Sequence, residues 1–263
     1  MNYIIHNCQE INGLNQRGGR MLSIVDLIER ETLSIQMAAY LTNAIYHGAS
    51  FLCCALEGGV GKTALMGALL GLMPKEERIV TVENEAMVGK LHSSRLKKEA
   101  NGVQTCYIVH EIGNGSWFGY LWGPAVLHFM AIKKHNQRVV SNIHADTYGQ
   151  IMDQITSFGG KEQQLSAFDL ILFISMVDGK NGFFNQKRAV SQVLESKEGT
   201  GFKGFNQIFT YNDGNYEKIN NGRYEAEKST FYAIETSLRK MQRKGVRQIK
   251  EVMGEVNTLY QTF

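Results

Sequence analysis

The fold of this chain is set by a stretch that reads Ser50-Phe51-Leu52-Cys53-Cys54-Ala55-Leu56-Glu57-Gly58-Gly59-Val60-Gly61-Lys62-Thr63-Ala64-Leu65-Met66-Gly67-Ala68-Leu69-Leu70. An apolar run comes first, a glycine-rich loop follows, and a second apolar run begins after Thr63. The first run predicts a buried β-strand and the second an α-helix. Glycines let the loop curl so that successive amide groups point inward, and the helix N-terminus adds the positive end of its dipole. The stretch therefore predicts a site for a polyphosphate.

Two residues of this loop have side chains suited to a nucleotide. In loops of this kind the lysine reaches the outer phosphates and the next hydroxyl binds Mg²⁺, so we expect these roles for Lys62 and Thr63. The predicted nucleotide-binding loop comprises Glu57, Gly58, Gly59, Val60, Gly61, Lys62, Thr63 and Ala64. Leu56 stands where the usual pattern has its first glycine, so the loop must begin without a positive φ angle. An ordinary strand-to-helix turn is the alternative, but the flanking apolar runs favour a nucleotide loop.

Composition limits the class of protein. The chain has 263 residues, which fit one large α/β domain with appendages or two small domains. A hydrophobic fraction of 43% with 20% charged residues is typical of a soluble globular protein. The net charge of +3 is too small to indicate nucleic acid as the main ligand. Because the sequence has no long apolar run and no signal-peptide pattern, we expect a cytoplasmic protein, free or peripheral at the cytoplasmic face of the membrane. Cys8, Cys53, Cys54 and Cys106 lack metal-binding spacing, so we expect buried reduced thiols.

The order of apolar runs predicts strands that alternate with helices, which is typical of a largely parallel sheet. The predicted strands after the loop are 78–82, 105–110, 138–143 and 169–176, and β-hairpins follow within 169–195 and 208–215. Residues 229–263 show the spacing of an amphipathic helix with a break near Gly245. We therefore expect three parts: a linker or remnant of an N-terminal region over 1–22 that buries little, a core over 23–220, and a helical extension over 221–263.

Polar residues follow three of these predicted strands. Glu83, Glu111 and His144 each come at a strand end, and strand ends in a parallel sheet meet at one edge where ligands bind. Hydrolysis of a nucleotide requires a carboxylate that orients or deprotonates water, and Glu111 is the best candidate because it directly follows a strongly apolar run. Glu83 is a candidate for supporting the metal or a water, and His144 for a hydrogen bond to the outer phosphate. The alternatives are a surface glutamate at each acidic position and an ordinary edge histidine.

Five motifs in this order resemble those of the type II and type IV secretion and pilus traffic ATPases, most closely the branch that drives tight-adherence pili. They are the phosphate loop 56–63, the acidic segment 77–84 with His92 and Arg95 after it, the strand 107–111, the histidine segment 142–146, and the later strand 166–171. The resemblance extends from about residue 17 to residue 215. It implies a RecA-like P-loop NTPase core with a mostly parallel sheet, C-terminal β-hairpins and an amphipathic helical tail, without the family's N-terminal domain.

The resemblance also implies roles for individual residues. Lys62 and Thr63 would bind ATP and Mg²⁺, Glu111 would activate water and contact the metal, and Glu83 would support the site. His144 would respond to the nucleotide state. Arg95 would neutralise charge on the outer phosphate, and Arg17 or Arg20 would reach the nucleotide of a neighbouring subunit. The implied partners are further copies of the chain in a hexamer and inner-membrane platform proteins of a secretion or pilus machine.

The sequence also departs from the family pattern. Besides Leu56, Asn84 replaces an aspartate, Met87 replaces a glutamate, and Gly113 stands where an arginine normally follows the catalytic glutamate. Two functions therefore remain open: an ATP-hydrolysing motor subunit, or a catalytically weakened regulatory or structural paralogue that binds nucleotide. A partition-type ATPase is a weaker third interpretation, because Glu57 stands where that class has a lysine. The basic run 239–250 is interpreted as a solvated helix face rather than a lipid or nucleic-acid site.

Overall fold

The structure is a computed structural model that describes residues 1–16, 18–96, 104–113, 119–133, 136–179, 182–197 and 202–263; within these ranges it leaves out the side chains of residues 92, 94–96, 179 and 182–185. The strands are β1 (Phe51–Cys54), β2 (Arg78–Thr81), β3 (Thr105–Ile112), β4 (Tyr120–Leu121), β5 (Gln137–Ile143), β6 (Leu170–Gly179), β7 (Gly182–Ser196), β8 (Phe205–Asn212) and β9 (Asn215–Lys218). The helices are α1 (Ile4–Gly13), α2 (Ile24–Glu29), α3 (Ile35–Tyr46), α4 (Lys62–Leu70), α5 (Glu85–Leu96), α6 (Pro124–Met130), α7 (Tyr148–Ser157), α8 (Lys228–Lys244) and α9 (Ile249–Tyr260), and a 3-10 helix spans Glu162–Ala167.

One sheet organises the described chain. Its strand order is β2-β3-β5-β1-β6-β7-β8-β9, with β4 beside the end of β3. The strands from β2 to β6 in this order pair in parallel, and β6 to β9 pair in antiparallel fashion. The prediction of a mixed α/β fold with a mostly parallel central sheet is confirmed. The loop strand β1 lies in the middle of the parallel part, so ligands at its carboxyl end are reached by strand ends from both sides.

Helices cover both faces of this sheet. Successive residues of a strand point to opposite faces, and β1 shows this clearly. Phe51 and Cys53 belong to a core cluster formed with α1, α3, α4, α8 and α9. Leu52 and Cys54 belong to a second cluster formed with α5, α6 and α7. The four cysteines are buried and unpaired, as predicted, and burial raises the pKa of the Cys53 and Cys106 thiols.

Side-chain caps fix the starts of α2 and α3, and a glycine ends α8. The Ser23 side chain accepts a hydrogen bond from Asp26 N, and Asp26 in return accepts one from Ser23 N, so α2 begins with a capping box. Ser34 caps α3 by accepting from Met37 N at 3.1 Å. Gly245 ends α8 in the left-handed conformation, with φ of 67°, which a glycine adopts at no steric cost.

The N-terminal segment differs from the prediction. Residues 1–22 were expected to bury little, and this is wrong: α1 packs on the sheet, and Ile11, Leu14 and Met21 are each at most 3% exposed. The sequence obscured this because Cys8, Ile11 and Leu14 each stand between polar residues or glycine, so that no continuous apolar run marks the helix. Two of the polar residues, Asn7 and Glu10, form hydrogen bonds with β2 at the edge of the sheet.

Side chains of α1 hydrogen-bond the outer edge of β2. The Asn7 amide donates to Glu77 O at 2.8 Å and accepts from Ile79 N at 2.9 Å. The Glu10 carboxylate accepts from Thr81 N at 3.1 Å and from Thr81 Oγ1 at 2.5 Å. These contacts pair the backbone groups that an edge strand would otherwise present to another chain. The helix therefore replaces a further strand at this edge.

The division of the chain into three parts stays a prediction. Residues from α1, from the predicted core and from α8 and α9 share one buried cluster. In the described residues no helix is both long and apolar enough to cross a membrane.

Candidate functional site

The glycine-rich loop connects β1 to α4 in a backbone conformation that needs glycine at two positions. Gly59 has φ of 85° and Gly61 has φ of 125°, values that side chains with a Cβ rarely adopt. A Cβ on Gly61 would also lie 3.3 Å from Ile174 Cδ1 and 3.4 Å from Arg188 Cδ. Among the described residues with a side chain, only Glu31 and Asp213 have positive φ, so the loop begins at Leu56 without one, as expected.

The N-terminus of α4 faces the loop with its amide groups uncapped. Gly61 is the N-cap residue and supplies no side-chain hydrogen bond. The first amides of a helix have no partner within the helix, and they carry the positive end of its dipole. This arrangement binds anions, and phosphate above all.

Lys62 is buried at the centre of the site and has only 6% of its surface exposed. Its ammonium donates to Ala55 O at 3.1 Å and to Glu57 O at 3.4 Å, and it lies 3.1 Å from His144 Nδ1. Burial lowers the pKa of Lys62, and the negative charge of Glu111 opposes this shift. The cation is therefore held at the inner wall of the loop.

Glu111 and His144 meet beside this lysine. Glu111 lies inside β3, rather than after it as predicted, where the register shifts between Val109 and Ile112. Its Oε1 atom lies 2.5 Å from His144 Nε2. This contact lacks hydrogen-bond geometry, so Oε1 is a buried carboxylate oxygen without a hydrogen-bond partner in the described part of the chain. A buried carboxylate oxygen that accepts no hydrogen bond is costly, and a water or a metal ion is the kind of group that would satisfy it.

The histidine segment also fixes the start of the loop. Leu56 N donates to Asp146 Oδ1 at 2.7 Å, and Leu56 O lies 2.6 Å from His144 Nδ1. The Gln154 amide in turn donates to His144 O at 2.7 Å. His144 and Asp146, which follow β5, thus both contact Leu56 at the start of the loop.

A cavity of about 580 Å³ opens above the loop. Its described lining includes Leu14, Asn15, Gln16, Leu22, Leu27, Thr32, Gly58, Gly59, Gly61, Thr63, Ala64, His110, Tyr120, His144 and Ile174, and its charged members are Arg30, Lys62, Lys187, Arg188 and Glu111. Four cations face one carboxylate, which suits a polyanionic ligand. Another cavity, of about 610 Å³, lies near Lys133 and Asp169. Those two residues pair with each other at 2.7 Å at the opposite edge of the sheet, away from the loop.

The structure brings together some of the predicted site residues and not others. The loop 57–64, Glu111 and His144 converge, whereas Glu83 is exposed after β2 and is not part of the described cavity lining. The reason is the strand order, which puts β3 and β5 between β2 and β1. The Arg95 side chain and Arg17 lie outside the described residues.

Arg20 has a different environment from the one predicted. Its guanidinium binds the Asp26 carboxylate through two contacts of 2.6 and 2.7 Å, and it donates to Arg247 O at 2.8 Å. The hydrogen bond that Arg20 donates to the Asp26 carboxylate raises the pKa of Arg20. Within this chain Arg20 therefore braces the start of α2 against the segment before α9. A role at a neighbouring subunit's nucleotide stays a prediction.

Two residues of the site were missed by the sequence reasoning. Arg188 lies on β7, and its Nη2 atom donates to Gly59 O at 3.3 Å. His110 is buried, stacks on Tyr120 with 5.7 Å between ring centroids, and lies 3.2 Å from Leu14 O. Burial lowers the pKa of His110, and its Nδ1 atom has no hydrogen-bond partner among the described residues. No motif identifies Arg188. The hairpin predicted within 169–195 does place it on the strand that pairs with β6.

The chain resembles known proteins in structure and not in sequence family. No protein-family model and no curated protein matches this sequence. The chain is similar to the VirB11 ATPase of the Brucella suis type IV secretion system in complex with sulphate, at 14% identity and a TM-score of 0.40, over 68% of this chain and 61% of that one. It is also similar to the Legionella pneumophila ATPase DotB, at 9% identity and a TM-score of 0.39, over 82% of this chain and 57% of that one. The chain thus spans about three fifths of either structure.

Proposed function

We propose that this chain is a RecA-like P-loop ATPase that binds Mg-ATP at the glycine-rich loop and hydrolyses it. The single observation that supports this most is the convergence of three side chains from three strand ends. His144 lies between the other two, 3.1 Å from the Lys62 ammonium and 2.5 Å from the Glu111 carboxylate, beside uncapped amides of α4. A cation, a carboxylate and a hydrogen-bonding ring beside an anion-binding helix end are the groups that phosphoryl transfer to water requires.

Each residue has a role in this proposal. Lys62 would turn from the loop carbonyls to the outer phosphates, and Thr63 with Glu111 would hold Mg²⁺. Bound Mg²⁺ supplies positive charge that offsets the charge of the phosphates. Glu111 would orient water and accept its proton, and His144 would hydrogen-bond the outer phosphate. Glu83 and Arg95 remain predicted supporting residues.

We also propose the setting in which this activity is used. The family resemblance implies a motor subunit of a secretion, pilus-assembly or conjugation apparatus, assembled as a homo-hexamer. Its partners would be inner-membrane platform proteins, and its place would be the cytoplasm or the cytoplasmic face of the membrane. Light scattering with size-exclusion chromatography, with and without a non-hydrolysable ATP analogue, tests the assembly. A nucleotide-dependent hexamer is expected, and a monomer under both conditions would contradict the motor.

A catalytically weakened regulatory subunit is the second candidate. Asn84, Met87 and Gly113 replace residues of the family pattern. The exposed position of Glu83, away from the cavity, also favours this candidate. Loss of one charge contact to a transferring phosphoryl group costs about a hundredfold or more in rate.

Steady-state ATPase assays and nucleotide binding separate these candidates. In the motor, Glu111→Gln should lower kcat by about 10²-fold or more while Mg-ATP still binds. Glu217→Gln is the matched control, because Glu217 is exposed on the far strand β9. Equal, near-zero turnover of wild type and Glu111→Gln with retained binding would support the regulatory subunit. A wild-type protein that binds no Mg-ATP would refute both candidates.

A further inference from the structure

Arg188 lies against the loop from the side opposite to Glu111 and His144. It belongs to β7, where it pairs with Met176 of β6. The sheet order places β6 and β7 on one side of β1, and β5 and β3 on the other. The Arg188 Nε atom would lie 3.9 Å from a Cβ at Gly61, and Nη2 lies 3.3 Å from Gly59 O. The guanidinium therefore touches the same loop that encloses the predicted phosphate site.

Two of the three other cations that line the described cavity, Lys62 and Lys187, already have partners. Lys62 is held by Ala55 O and Glu57 O. Lys187 pairs with the Glu31 carboxylate at 2.7 Å and lies 5.5 Å from the centre of the Tyr211 ring. For Arg188, in contrast, the described residues provide one long hydrogen bond to a carbonyl and no carboxylate within ion-pair distance.

A guanidinium in this position has unused donors. It presents several N–H groups in a rigid fork, and this geometry matches the oxygens of a phosphate. Arg188 is exposed and lines the described cavity, so a ligand reaches it without rearrangement of the core. Hydrogen bonds between two charged groups are among the strong ones in proteins.

We propose that Arg188 binds the outer phosphate of the nucleotide held by the loop, so that ATP is contacted by this chain's own arginine from the β7 side. This inference rests on the proposed function, because it assumes a nucleotide in the loop. The simpler role for Arg188 is to brace the loop through Gly59 O. The two roles differ in how loss of Arg188 changes the affinity for ATP relative to the affinity for ADP.

The test measures the affinities of a non-hydrolysable Mg-ATP analogue and of Mg-ADP by calorimetry. The variants are Arg188→Gln, Arg188→Lys and the control Arg239→Ala; Arg239 is exposed on α8 and pairs with Glu235 at 2.6 Å. Arg188→Gln should weaken binding of the ATP analogue by about ten- to a hundredfold and binding of ADP by less than about threefold. Arg188→Lys should restore part of the loss, since it keeps the charge but not the fork. Arg239→Ala should behave as wild type.

Three results would overturn this inference, and they are distinguishable from one another. An equal loss for the ATP analogue and ADP in Arg188→Gln would assign Arg188 to loop bracing and leave the proposed function intact. Unchanged affinities in Arg188→Gln would remove Arg188 from the site altogether. A wild-type protein that binds neither nucleotide would refute the proposed function and this inference together. A circular dichroism spectrum that matches wild type establishes that each variant is folded.

Discussion

Two glycines of the phosphate loop should respond very differently to the same substitution. Gly61→Ala puts a Cβ on a residue with φ of 125°, 3.3 Å from Ile174 Cδ1. Gly58→Ala is the matched control three positions earlier, because Gly58 has no positive φ and no atom within 4 Å of its added Cβ. The chemical change is identical, so the backbone conformation alone decides the difference.

The magnitude follows from these conformations. A side chain in a sparsely populated backbone region costs on the order of 1–3 kcal/mol. The neighbours of Gly61 are ends of flexible side chains, which yield by a few tenths of an ångström, so strain dominates and we expect a loss of about 2 kcal/mol. At Gly58 the alanine restricts the unfolded chain and should stabilise by about 0.4–1 kcal/mol. The two variants should therefore differ by about 3 kcal/mol.

Urea unfolding of the nucleotide-free protein, followed by tryptophan fluorescence, measures this difference. Trp122 is a suitable reporter because it is 45% exposed and packs on Phe158. The slope of free energy against urea should stay constant, so that a midpoint shift reports stability. Equal free energies of unfolding for Gly58→Ala and Gly61→Ala would refute the loop conformation. As a second readout, Gly61→Ala should also lower the affinity for Mg-ATP by at least about tenfold.

Three further predictions concern one buried group of the site and two contacts in the core. Burial lowers the pKa of His110 below its ordinary value of 6.5, so the unfolded chain binds this proton more tightly and stability should fall as pH drops through 6.5. The loss is at most about 1.4 kcal/mol per pH unit; urea titrations in which His110→Gln keeps the full pH slope would contradict it. Glu77→Gln leaves the Arg138 charge buried, with each partner 4% exposed, and should cost about 3–5 kcal/mol in urea unfolding; a loss below about 1 kcal/mol would argue against a buried ion pair. Gly222→Ala places a Cβ 2.0 Å from Tyr40 Oη and should lower the unfolding free energy by about 3 kcal/mol, and a melting temperature equal to wild type would count against this packing.

The sequence predicted the parts of the site whose determinants are local. The apolar runs on either side of the loop have the lengths and spacing of a buried strand and a helix, and Gly59 and Gly61 supply the required backbone conformations. Glu111 and His144 were identified because strands β3 and β5 are each strongly apolar up to those residues. Parallel strands bring their carboxyl ends to one edge, so their meeting with Lys62 follows from topology alone.

Other features depend on contacts between distant residues. Glu83 ends a strand like the others, but only the strand order shows that β2 is the edge strand and that its end lies away from the loop. Arg188 becomes adjacent to Gly59 through pairing of β6 with β7. The contact of Arg20 with Asp26 is also not readable from a motif, and the predicted role of Arg17 or Arg20 at a neighbouring subunit's nucleotide stays a prediction. A single sequence does not encode these distances in any local pattern.

The hydrogen bonds from α1 to β2 limit one way in which copies of this protein could associate, the addition of a strand at the β2 edge. Asn7 and Glu10 occupy the donors and acceptors along the outer rim of the sheet, so another chain cannot extend it there by adding a strand. Removal of the two polar side chains would leave these backbone groups of β2 without partners, and we expect the exposed edge strand to favour aggregation.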